Sequence, residues 1–160
     1  MSSTVRNRPP SGSSRTSLVR TLMNRPKLIT SSGVRWTVYA LIVIGAVLTI
    51  LSGLVHLKLW QGPPPYKLVP TVGPLFLIQA ISGVALGLIL LATQRLIVVL
   101  ASFGLLVGTA LGLVLSVKVG LFGFQDSFSA PYATSSLILE LIGAAILLVA
   151  AIPLALARRR

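Results

Sequence analysis

The sequence predicts an all-α polytopic membrane protein, a four-transmembrane-helix bundle with both termini cytoplasmic. Three observations predict it. Hydrophobic residues make up 54% of the 160-residue chain and charged residues only 10%, where soluble domains carry roughly 25% charged residues. The apolar residues gather into four runs, 36–57, 72–93, 96–117 and 136–157, and Glu140 is the one charged residue inside them. Each run holds roughly 22 residues, about 33 Å of helix, against a hydrocarbon core of roughly 30 Å. Finally, the basic residues divide unevenly between the two sides that these runs define.

Residues 1–33 are rich in Ser, Thr, Arg and Pro. Little in them can form a core, so they are expected to be a disordered cytoplasmic tail. Arg6, Arg8, Arg15, Arg20, Arg25 and Lys27 lie there, with Arg35 just beyond. The expected role is to set topology and to rest on anionic inner-leaflet lipid, at about 1 kcal/mol per basic residue near the surface. Ser14, Thr16, Ser17 and Thr21 stand beside or near Arg, and phosphorylation there weakens that attraction. The net charge of +12 therefore follows from insertion topology, and no nucleic-acid partner is expected.

The first run is longer than a signal-peptide core and ends in His-Leu-Lys-Leu-Trp, so it reads as a retained anchor. Trp36 and Tyr39 at its start suit the headgroup boundary. Loop 58–71 is stiffened by Pro63, Pro64, Pro65 and Pro70. Pro63-Pro64-Pro65-Tyr66 matches a PPxY ligand of WW domains, but outside the cytoplasm a rigid strut is the expected role. The second and third runs are joined only by Gln94-Arg95, so their helices are antiparallel neighbours. Loop 118–135 carries Phe122, Phe124, Phe128 and Tyr132, with Asp126 as its only acid. The fourth run is followed by Arg158, Arg159 and Arg160. These, Arg95 and the tail lie on one side, against Lys58, Lys67 and Lys118 on the other. Basic residues accumulate on the cytoplasmic side, which directs both loops outward.

A faint repeat runs through the chain. Gly53-Leu54-Val55 recurs as Gly112-Leu113-Val114, and Pro65-Tyr66 as Pro131-Tyr132. It implies two helical hairpins related by an axis along the membrane normal.

Lipid tails are as apolar as Leu, so membrane helices pair through small residues that let backbones approach. Gly83 and Gly87 form one GxxxG step, and Gly104, Gly108 and Gly112 form two overlapping steps. Both stripes are expected to be packing seams. Followed toward the outer side, the polar faces converge on His56, Gln79, Ser116, Lys118 and Glu140. An intramembrane acid is by default a functional candidate facing the bundle or water. Its plain alternative is a structural pair with Lys118 or His56, or a hydrogen bond to Gln79.

His56 is the only histidine and a candidate for a haem ligand or proton carrier. Met1 and Met23 lie in the tail, so ligation by two residues of this chain is not available. With no cysteine, thiol chemistry is excluded, and no phosphate loop, nucleophile elbow or zinc motif is present. No cofactor, metal or enzymatic activity is expected. The leading expectation is an accessory or assembly subunit that associates with other membrane proteins or with itself. The alternatives are a small transporter or proton-coupled carrier using Glu140, and a haem- or quinone-associated redox subunit.

The stretch His56-Leu57-Lys58-Leu59-Trp60, then Tyr66 and Val69-Pro70-Thr71-Val72-Gly73-Pro74-Leu75-Phe76-Leu77-Ile78-Gln79, resembles a pattern in small four-helix membrane proteins of actinobacteria. The resemblance covers the first two spans and implies the bundle and a plasma-membrane location, but no activity. The excess of Arg over Lys and the richness in Ala, Gly, Val and Leu fit a high-GC bacterium.

Overall fold

The computed structural model describes residues 32–63 and 65–157. The basic tail up to residue 31, Pro64 of the proline strut and Arg158–Arg160 lie outside the described residues. Four long helices make up the fold: α1 (Ser32–Gln61), α2 (Val72–Thr93), α3 (Leu96–Lys118) and α4 (Ala133–Leu156), with a short 3-10 turn at Tyr66–Leu68. All four are long and apolar enough to span a membrane, so the chain is a multi-pass helical membrane protein.

α2 starts and ends with its apolar run, whereas α1 and α4 overrun theirs. The apolar run marks the hydrocarbon, but a helix ends where the backbone is stopped. α1 continues through Lys58, Leu59, Trp60 and Gln61, all tolerant of helix, until Gly62 and Pro63 interrupt it. Lys58 in its last turn complements the negative end of the helix dipole. At the opposite end Trp36 and Tyr39 meet edge to face at 6.0 Å. α4 begins directly after Pro131 and Tyr132, where Ser135 and Ser136 hydroxyls donate to the Tyr132 and Ala133 carbonyls.

The α2–α3 junction turns at Gln94, whose left-handed backbone (φ 49°) lets its N–H close on Leu90 O at 3.0 Å. In the loop after α3, Gly120 (φ 77°) receives the end of the helix, its N–H reaching Ser116 O at 3.2 Å. A reverse turn follows, with Leu121 and Phe124 exchanging backbone hydrogen bonds of 2.7 and 2.8 Å. Positive φ at both central residues, Phe122 and Gly123, marks a type I′ turn.

α1 packs most extensively on α2 and also on α4, while α3 packs on α4. α2 and α3 share the least contact of the neighbouring pairs, although only two residues separate them. Two halves of different character result. Toward the α2–α3 junction lies a dry core built from residues such as Ile42, Leu90, Val99, Leu106, Leu147 and Ala150. Toward the long loops the buried positions turn polar: Ser52, His56, Gln79, Ser116, Ser136 and Glu140. Outward faces carry Ile78, Ile81, Leu88, Leu111 and Leu141, as lipid contact requires.

Candidate functional site: a polar-floored cavity between α2 and α3

The long-loop half holds a cavity of about 380 Å³, within the size range of small-molecule sites. α2 walls it through Leu75, Phe76 and Gln79, and α3 through Gly104, Gly108 and Gly112. Most of the lining is apolar. Glu140, reached from α4, and His56, from α1, also border it.

Glu140 is fully buried. Its Oε1 accepts a hydrogen bond from Ser52 Oγ at 3.1 Å, joining α4 to α1. Its Oε2 has no partner. Among the described residues no Lys or Arg makes an ion pair with it. Gln79 is nearly as buried, and its Nε2 is also without a partner. Buried polar atoms are ordinarily hydrogen-bonded, and each orphan costs about 1–3 kcal/mol. Two residues of one cavity lining thus each carry a buried polar atom with unused hydrogen-bonding capacity.

His56 is tied to its own helix, with Nδ1 2.9 Å from the Ser52 carbonyl. A carbonyl only accepts, so Nδ1 is the donor. The ring leans on Phe76 at 5.1 Å. Phe76 stacks on Tyr66 at 4.7 Å, and Tyr66 meets Phe124 edge-on at 5.7 Å. An aromatic column thus rises from the polar floor into both long loops. The Tyr66 hydroxyl reaches Asp126 Oδ1 at 3.5 Å, linking the loops at the mouth of the cavity. Asp126 is placed by its backbone N–H on Ser116 O at 3.4 Å and caps Ser127 N at 2.8 Å.

Burial, then the charge of Asp126 and the hydrogen bond to it, raise the Tyr66 phenol above its ordinary value. The folded value lies above the unfolded one, so its contribution is whole below about pH 10 and fades as pH rises through the folded value. Wild-type protein is expected to lose thermal stability above that pH more steeply than Tyr66→Phe. Melting curves of the two proteins across alkaline pH check it.

Four of the five residues expected to cluster, His56, Gln79, Ser116 and Glu140, border this cavity. Lys118 does not. It is exposed, because two residues beyond Ser116 is about 200° of helix rotation, onto the far face. The pairing of Lys118 with Glu140 is therefore not made, and Ser52 takes its place.

The glycine stripes also divide. A Cβ at Gly83 would lie 2.9 Å from Gly53 Cα, and one at Gly87 2.9 Å from Ala46 O, so these two glycines sit in a close α1–α2 seam. Gly104, Gly108 and Gly112 have nothing within 4 Å of such a Cβ. Among the described residues the packing role expected of the α3 stripe is not met; its glycines leave open space that forms the cavity wall. Gly53 and Gly112, equivalent in the faint repeat, thus have opposite surroundings. Ser52, Tyr66, Phe76 and Asp126 were not singled out as site residues by the sequence. Ser52 stands one helical turn before His56, the one local signal for it.

No protein-family model, curated protein or solved structure matches this chain.

Proposed function

We propose that this chain is a small non-enzymatic protein of the bacterial plasma membrane that holds an amphipathic small molecule between α2 and α3. In this reading the termini are cytoplasmic, as the basic residues favour, and the cavity lies in the outer half of the bundle. The observation that carries it is the pair of orphaned buried atoms, Glu140 Oε2 and Gln79 Nε2, beside an apolar space of about 380 Å³. An apolar pocket with a few convergent polar groups is the ordinary form of a small-molecule site. Such a site is the core of the small carrier that an intramembrane Glu140 suggests.

Gly108→Leu tests this reading. Gly108 lines the cavity, and no described residue stands within 4 Å of a Cβ at that position, so a side chain adds bulk to the wall without a clash at its first atom. Wild-type protein purified in mild detergent is expected to carry a small molecule detectable by mass spectrometry of its organic extract. Gly108→Leu should lose it while retaining helicity and melting behaviour. Equal retention by both proteins contradicts the proposal.

The accessory-subunit reading has one observation in its favour. The open α3 stripe of Gly104, Gly108 and Gly112 offers the close backbone approach that a partner helix needs. A membrane protein co-purifying in stoichiometric amount, and lost in Gly108→Leu, would favour that reading over the first.

A further inference from the structure

We infer that the molecule held in this cavity is a lipophilic cation, an amine or quaternary ammonium group on an apolar body, with the cation at Glu140. The inference rests on the small-molecule reading above and names its ligand class. It begins from charge. The chain has 14 basic residues and two acidic ones, and both acids, Asp126 and Glu140, border this one cavity. Among the described residues no Lys or Arg borders it. In a molecule of net charge +12, the two acids thus share a lining in which the described residues place no Lys or Arg.

The lysines of this end are engaged elsewhere. Lys58 Nζ sits 4.9 Å from the centre of the Tyr132 ring, and Lys67 Nζ 5.8 Å from that of Trp60. Lys118 is exposed on the opposite face of α3. Glu140 therefore lacks a cation from the described residues, and its buried Oε2 has no hydrogen-bond partner among them. A carboxylate buried without a counter-charge is strongly unfavourable, and an entering cation supplies what the fold omits.

The rest of the cavity suits the same class. Tyr66, Phe76 and Phe124 form the aromatic column between the mouth and the floor, and aromatic faces attract ammonium groups by about 0.5–2 kcal/mol. Asp126, bonded to Tyr66, and Glu140, joined through Ser52 to His56, set a carboxyl group near each end of that column. The α3 glycines leave room for the apolar body. An anionic ligand would meet two acids and, among the described residues, no Lys or Arg.

The test uses the full chain in phosphatidylcholine nanodiscs and three probes of equal chain length: decyltrimethylammonium, decanol and decanoate. Binding is read as probe bound per protein above the Gly108→Leu discs, which report partition into lipid alone. Decyltrimethylammonium is expected to bind at least about tenfold more tightly than decanol, and decanoate least. Glu140→Gln should bring the cation within about twofold of decanol and leave decanol unchanged. Asp126→Asn, a change in an extramembrane loop that keeps the Oδ1 acceptor, should weaken only the cation, by about two- to threefold.

Decanol binding as tightly as the cation, or Glu140→Gln leaving the cation unaffected, overturns the cation assignment and leaves the cavity reading standing. If none of the three probes binds above the Gly108→Leu background, the small-molecule reading falls with it.

Discussion

Gly53→Ala and Gly83→Ala are each expected to destabilise the bundle by about 1–3 kcal/mol, the range for overpacking a close contact. A Cβ at Gly53 would stand 2.8 Å from Ala80 O and 2.9 Å from Val84 N. One at Gly83 would meet Gly53 Cα at 2.9 Å and Thr49 O at 3.0 Å. These neighbours are backbone, so no rotamer change relieves the clash. α1 and α2 must part along the most extensive helix contact in the fold. Gly104→Ala, Gly108→Ala and Gly112→Ala meet nothing within 4 Å. Ala favours helix over Gly by about 1 kcal/mol, so those three are expected to be neutral or mildly stabilising. Thermal unfolding in one detergent checks all five together. A destabilisation by the α3 substitutions as large as that from Gly53→Ala would mean that this stripe is a packed seam after all.

That contrast locates what the sequence carries and what it omits. Span length and the scarcity of internal charge are properties of a segment, so the four helices could be read one by one. GxxxG says only that two helical faces can approach. Which face meets a neighbour depends on the rotation and placement of all four helices. Gly83 and Gly104 are alike as letters, yet one touches backbone and the other faces open space.

The candidate site divides in the same way. His56, Gln79, Ser116 and Glu140 lie at matching depths on faces of small residues, so their convergence was legible from helical period and alternating direction. Lys118 has the right depth and the wrong azimuth. Asp126 was out of reach because a loop residue has no period. Its place depends on the type I′ turn at Leu121–Phe124 and on the backbone bond to Ser116. Tyr66 was read as part of a rigid strut, but its stacking on Phe76 brings it to the cavity. α1 and α4 outran their apolar runs because the lipid boundary and the helix stop have different causes.

Glu140→Met is expected to raise the thermal midpoint while abolishing cation binding. Methionine has nearly the same length, is unbranched and fills irregular space. The substitution removes a fully buried carboxyl of which one oxygen is unsatisfied, a penalty of about 1–3 kcal/mol. It also frees Ser52 Oγ, the donor to Oε1. A helical serine can turn that hydroxyl to the carbonyl four residues earlier, here Leu48, so no new orphan is left behind. The gain in stability is thus expected to approach the penalty removed. Replacing buried ionised groups by apolar ones of similar volume is often neutral or stabilising, whereas a functional site is retained despite such a penalty. The opposite result has a clear meaning. A fall in the midpoint of similar size would make the Ser52–Glu140 bond a structural tie between α1 and α4, with the carboxyl kept for packing. Stability gained and cation binding lost in the same protein is the combination that a ligand site produces and a structural tie does not.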